Sequence, residues 1–120
     1  MAYGAMLDGI SATDIAVSGL KTQRTRMNVI ANNIANALTT RTARGGAFRR
    51  QLAIVRGEQL QPAINPDKFG VNVKSIKTDY SPLRQVYEPG HPDADANGYV
   101  NYPNVDVSVE MVNLVAAQRA

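Results

Sequence analysis

The apolar positions of this chain change their period twice, and the changes divide it into three parts. Over residues 7–38, Thr13, Ala16, Leu20, Gln23, Met27, Ile30, Ile34 and Ala37 recur at alternating spacings of three and four, a heptad seam. The other side of that helix carries Asp14, Ser18, Lys21, Thr25, Asn28 and Asn32. At 1.5 Å per residue the helix is about 45 Å long, too long to be covered by a small domain. Its seam is weak as well. Thr13 and Gln23 are polar, Ala16 and Ala37 are small, and Asn28, Asn32, Asn33 and Asn36 crowd its last turns, although Asn is a mediocre helix former. An ordinary amphipathic core helix is the plain alternative. The length and the Asn content favour a helix that leans on partners.

After residue 38 the pattern breaks. Residues 37–47 hold Thr39, Thr40, Gly45 and Gly46, with Arg41 and Arg44 between them, and read as a linker. Short strands are expected over 48–55, 70–78 and 83–87, punctuated by Pro62, Pro66 and Pro82. Val71 and Val73 alternate as a strand requires, but Ile76 is out of phase, which predicts a β-bulge near Ser75. The helical period returns after Pro103, where Asp106 is the expected N-cap and Val105, Val109, Val112 and Ala116 form an apolar stripe. The stripe is still running at Ala120, so this helix is expected to continue further. The fold class that follows is mainly α with a small β-rich middle. A long N-terminal helix (1–38) lies antiparallel to a C-terminal helix (104–120) in one discontinuous helical-hairpin core. Residues 39–103 form the linker and the β-rich domain.

Composition narrows the function. At 120 residues there is room for one domain. There is no Cys, so disulfides and cysteine-based metal or redox sites are excluded. No apolar run approaches the length of a membrane span, and no cleavable secretory signal is visible. His91, the single histidine, sits between Gly90 and Pro92 and has no companions for a zinc site. No phosphate-binding glycine loop and no nucleophile elbow occurs. The reading is a protein that is not an enzyme, with no cofactor and no small-molecule substrate.

The net charge of +3 conceals an asymmetry. No acid occurs between Asp14 and Glu58, a stretch holding Lys21, Arg24, Arg26, Arg41, Arg44, Arg49, Arg50 and Arg56. From Gln85 onward Arg119 is the only Lys or Arg, against Glu88, Asp93, Asp95, Asp106 and Glu110. A basic front of this kind suits nucleic acid, or an acidic surface on a neighbouring copy. No helix-turn-helix or zinc module accompanies it, and Phe48 alone makes no stacking platform. A solvated basic loop is the plain reading, and contact between copies ranks ahead of nucleic acid, with Arg41, Arg44, Arg49 and Arg50 as candidates on one side. Glu88, Asp93, Asp95 and Asp106 are candidates on the other.

Residues 87–106 carry the densest information. Asp93-x-Asp95-x-Asn97-Gly98 opens like a calcium loop, which needs a bidentate Glu at its twelfth position and a helix on each side. The twelfth residue is Asn104, Pro89, Gly90 and Pro92 bar an entering helix, and Pro103 falls inside the loop. A turn is expected instead, ordered by Asp and Asn side chains bonding their own backbone, with Gly98 at positive φ. On that view no metal is bound, and neutralising Asp93 or Asp95 costs no stability.

The same run, Tyr87-Glu88-Pro89-Gly90 leading through Asn97-Gly98-Tyr99-Val100 to Pro103-Asn104-Val105-Asp106, resembles a signature of flagellar basal-body rod proteins. Within that family it is most similar to a proximal-rod subunit. Ser18-Gly19-Leu20, Gln23 and the run from Arg26 to Asn36 resemble the N-terminal helix shared by flagellar axial proteins. The resemblance implies a structural subunit that self-assembles into an axial helical tube, transmits torque and passes exported subunits. It implies copies of itself, other rod proteins, basal-body ring components and the flagellar type III export apparatus as partners, and no nucleic acid. It also implies a place in the periplasm-spanning rod of the bacterial basal body, reached without a cleavable signal peptide. The helix positions expected at the assembly interface are Leu20, Gln23, Met27, Ile30, Asn32, Asn33, Ile34 and Asn36, with Val109, Val112 and Ala116 on the C-terminal helix. Another axial subunit, a different rod or hook protein, is the alternative, and a nucleic-acid-binding module using the basic front ranks behind it.

Overall fold

The structure is a computed structural model that describes residues 12–59 and 69–120. Helix α1 (Ala12–Ala35) leads to an antiparallel pair, β1 (Gln51–Gln59) and β2 (Phe69–Thr78). A second antiparallel pair follows, β3 (Arg84–Tyr87) and β4 (Tyr99–Tyr102), and then helix α2 (Val107–Arg119). Two helices and a small antiparallel β middle are as expected. Residues 7–11 of the anticipated N-terminal helix lie outside the described residues.

Helix α1 stops three residues short of Leu38, and its own asparagines account for this. The Asn36 backbone N–H and side-chain Nδ2 both donate to the Asn32 carbonyl, at 3.1 and 2.8 Å. Ala37 N then donates to Ile34 O and Thr39 N to Asn36 O, bonds of a tightened final turn. Helix α2 begins where expected. Asp106 is its N-cap, with Oδ1 accepting from the N–H groups of Ser108 (3.0 Å) and Val109 (3.4 Å).

The β1–β2 pair runs alongside α1. Its register slips between Ile54 and Val55, which pair with Ser75 and Val73, so Lys74 is the extra residue. This is the bulge that the misplaced Ile76 predicted. Its effect on packing is direct. Val71 and Val73 border one groove against α1, while Ile76 and Thr78 border the next. A strand of strict alternation would turn one of those pairs away from the helix. At Gly19 the helix comes close to β2, 4.0 Å from Val71 Cγ2 for an added Cβ. There Val71 N donates to Ser18 Oγ at 3.2 Å. Strand β1 begins at Gln51, not at the expected residue 48. The N–H groups of Phe48 and Arg50 are engaged elsewhere, by Thr39 O (3.0 Å) and Asn104 Oδ1 (2.7 Å).

The interior is small. Among the described residues the buried hydrophobic side chains are Val29, Ile30, Val100 and Ala117, with Thr22, Asn33 and Glu110 buried beside them. The molecule measures 70 × 26 × 19 Å with a radius of gyration of 20.3 Å, against about 14 Å for a globule of this length. A rod-shaped chain with so little core exposes much of its apolar surface.

Candidate assembly site

Polar groups fasten the two helices to the β middle. Asn33 is 1% exposed, and its amide bonds both backbone groups of Gln51: Nδ2 donates to O and Oδ1 accepts from N, each at 2.9 Å. Asn104 does the same for the neighbouring chain. Its Oδ1 accepts from Arg50 N, and its Nδ2 donates to Asp79 O (2.9 Å) and to Ser81 O and Oγ. A side-chain amide carries the same donor and acceptor as a peptide group, so each Asn stands in for a missing strand. Arg50 completes the junction. Its Nε donates to the buried Glu110 carboxylate of α2, and its Nη1 to Asp79 Oδ2 at 3.4 Å. Burial works against the Arg50 charge, but Glu110 and then Asp79 hold its pKa above the ordinary arginine value. The N–H and hydroxyl of Ser81, with Arg50 adding to them, hold Asp79 below the usual carboxylate range. Glu110 Oε2 finds no protein partner.

The 88–98 loop orders itself as the sequence predicted. Asp95 Oδ1 accepts from the N–H groups of Asn97 and Tyr99, both at 2.9 Å, and Gly98 takes φ 88°. His91 Nδ1 accepts from Asp93 N at 3.0 Å. Asp93 does more than the turn reading allowed. Its carboxylate accepts from Thr40 Oγ1 at 2.6 Å and from Arg41 Nε and Nη2, tying this loop to the 37–47 linker. The Thr40 hydroxyl and then the Arg41 guanidinium hold Asp93 below the usual carboxylate range. The expectation that neutralising Asp93 costs nothing is therefore corrected. Tyr102 donates to Glu88 at 2.7 Å, a bond that raises the phenol's pKa.

The anticipated site residues separate into inner and outer sets. Ile30 and Asn33, expected on an assembly seam, are buried within the chain instead, while Gln23, Met27, Ile34 and Asn36 are half-buried. Leu20, Asn32, Val109, Val112 and Ala116 face outward, Leu20 at 67% and Val112 at 68% exposure. Met111 and Val115 lie exposed beside them on α2. Two of the four arginines proposed to reach a neighbour, Arg41 and Arg50, pair inside their own chain. Arg49 donates to Ser81 O (3.2 Å) and lies 5.5 Å from the Tyr80 ring centre. Arg44 is exposed.

Comparison with known proteins accounts for a chain so long, so thinly cored and so apolar outside. Residues 14–41 match the family model described as "Flagella basal body rod protein". Residues 96–120 match "Flagellar basal body rod FlgEFG protein C-terminal". The flagellar basal-body rod protein FlgC of Borreliella burgdorferi is 43% identical, covering 92% of this chain and 82% of its own. FlgC of Salmonella typhimurium is 44% identical over 89% of this chain and 78% of its own. FlgC of Aquifex aeolicus is 35% identical over 96% and 83%.

The chain belongs to the FlgC family of flagellar basal-body rod proteins.

It is a structural rod subunit, and its place is the flagellar basal body. The two matched segments contain α1 and α2, the elements that carry the outward Leu20, Val109 and Val112. Strands β1, β2 and β3 lie between them, β4 falls within the second, and the chain around Arg50 supplies the polar junction. Sequence reasoning missed the buried Glu110 and strand β4. An acid inside an otherwise apolar helix, 60 residues from the arginine it meets, has no periodic signature. Strand β4 did have a signal, the alternation Tyr99-Val100-Asn101-Tyr102 with Val100 fully buried.

Proposed function

We propose that this FlgC-family subunit builds the proximal rod by packing the outer faces of α1 and α2 against other copies and other rod proteins. The observation that carries the reading is the apolar outer face of α2, where Val109, Met111, Val112 and Val115 stand largely in water. Apolar patches of this kind mark interaction surfaces, and head-to-tail repetition with a screw displacement generates an open helical assembly. Helices α1 and α2 form one discontinuous core, antiparallel, with 39–103 as linker and β-rich domain. A groove in which Ile34, Ala35 and Leu38 lie beside Val105 and Val107 supports that course, because it brings the end of α1 to the start of α2.

In this role the tube transmits torque and passes exported subunits through the periplasm. The subunit meets the adjacent ring components and leaves the cytoplasm through the type III export apparatus. It has no catalytic function. Imaging isolated basal bodies with this subunit labelled tests the placement. Label along the rod next to the membrane ring is the expected result. Label confined to the hook or absent from the basal body contradicts it.

A further inference from the structure

We propose a second contact between copies, away from the helices, in which the 88–98 loop of one subunit docks in a basic groove of the next. The proposal rests on the rod reading above and deepens it. The groove, of about 840 Å³, lies between α1, the 42–49 segment and β2. Val29, Phe48, Ile76 and Tyr80 line it with apolar surface, and Arg44 and Arg49 border it. Ile76 is 53% exposed and Tyr80 79%, so water covers surface of the kind that interfaces bury.

The loop has the complementary character. Tyr87 and Tyr99 form an edge-to-face pair with centres 5.3 Å apart, and Tyr87 is 62% exposed. Asp95 is exposed beside them, its Oδ1 held by the turn. The segment 87–106 contains no Lys or Arg, whereas 41–50 contains four arginines and no acid. The charge asymmetry therefore survives the internal pairing of Arg41 and Arg50, concentrated on Arg44 and Arg49 against Asp95. A second copy is the occupant, because it carries an aromatic and acidic projection matched to an aromatic and basic groove. Loop into groove is a heterologous contact, which propagates along an assembly instead of closing on itself.

The chain has no cysteine, so introduced thiols report without background. Ala43 in the groove and Ala96 on the loop are both exposed. Full-length Ala43→Cys and Ala96→Cys subunits are co-expressed, basal bodies are isolated, and a short bismaleimide is added. A crosslinked dimer of this subunit at least about fivefold above either variant alone is expected. Adding Arg44→Glu to the groove subunit lowers the yield about two- to fivefold, the scale of one exposed pair. Asn97→Lys on the loop subunit then restores it. Tyr80→Ala, which removes an aromatic anchor, lowers it about tenfold. Both variants present in basal bodies without the mixed dimer overturns this contact and leaves the rod placement standing. Capture of a different rod protein by the Ala43→Cys subunit overturns the choice of a second copy. Absence of both variants from basal bodies overturns the placement and the contact together.

Discussion

The junction around Arg50 and the outer face of α2 lie on opposite sides of one helix and solve opposite problems. At the junction Asn33 and Asn104 bond the backbone and Arg50 bonds Glu110 through directional contacts. Among the described residues there, Glu110 Oε2 is the one buried side-chain oxygen without a protein partner. On the outer face Val109, Val112 and Val115 leave about half or more of their surface in solvent. The inner side fixes geometry, since hydrogen bonds demand one arrangement. The outer side stores association energy, since apolar burial is proportional to area and tolerant of direction. A subunit that must hold its shape while neighbours dock needs both. The comparison predicts that changes at the junction unfold the single chain, and that changes on the outer face spare the chain but prevent assembly.

The largest effect on folding is expected from Glu110→Ala. It leaves the partly buried Arg50 with only its longer contact to Asp79, at 3.4 Å, and loss of a charged hydrogen-bond partner costs about 2–3 kcal/mol. Urea unfolding of the purified chain measures this. Replacing both Glu110 and Arg50 by Met or Leu should cost less, because the only charge left without its partner is then Asp79, which is partly in water and keeps its Ser81 bond. Asn33→Ala comes next, at about 2 kcal/mol, since the N–H and C=O of Gln51 both lose their partner. A loss below about 0.5 kcal/mol would show that water replaces the amide.

Gly98→Val should cost about 1–3 kcal/mol, because φ 88° is strained for a β-branched residue. The new Cβ would also stand 2.8 Å from Tyr87 Cε1. Tyr87 is exposed and can swing away, so the backbone strain remains the larger part. Thermal unfolding of Gly98→Val in a Tyr87→Ala background, where the contact with the ring is gone and the φ is unchanged, separates the two contributions.

Asp93→Asn should act through pH. A carboxyl held below its usual range binds fewer protons when folded than when unfolded. The stability it contributes is therefore present above the ordinary carboxylate pKa and is lost as pH falls through the folded value. The wild-type midpoint should fall below about pH 4, and Asp93→Asn should flatten part of that decline. Asp79 contributes in the same direction, so some decline persists. Identical acid limbs in both proteins would contradict the Thr40–Arg41–Asp93 tie.

What the sequence revealed divides along the same line as the molecule. Local geometry was legible. Ile76 out of phase announced the bulge, Asp106 announced the helix start, and Asn97-Gly98 announced the positive φ, because each depends on residues a few positions apart. Which side of α1 turns inward was legible only in part. The heptad seam named Ile30, which is buried, and Gln23, Met27, Ile34 and Ala37, which are half-buried, but also Thr13, Ala16 and Leu20, all exposed. Of the four buried residues Thr22, Val29, Ile30 and Asn33 it missed three. Two of those four are polar, and they are inside because distant backbone or side chains meet them. A hydropathy pattern cannot register a partner that arrives from far along the chain. The same holds for Glu110, and for Asp93, whose partners Thr40 and Arg41 lie more than fifty residues away.

The smallest expected effect on folding belongs to the substitution that tests the central claim most directly. Val112→Lys places a good helix former on the outer face of α2, where the native side chain is 68% exposed. Unfolding of the isolated chain should shift by no more than about 0.5 kcal/mol. In a cell that lacks its native copy, the same variant at normal protein level should give no rods and no motility, because an assembled neighbour would bury an unpaired charge. Motile cells with intact basal bodies containing Val112→Lys would contradict the claim that this face is covered in the rod.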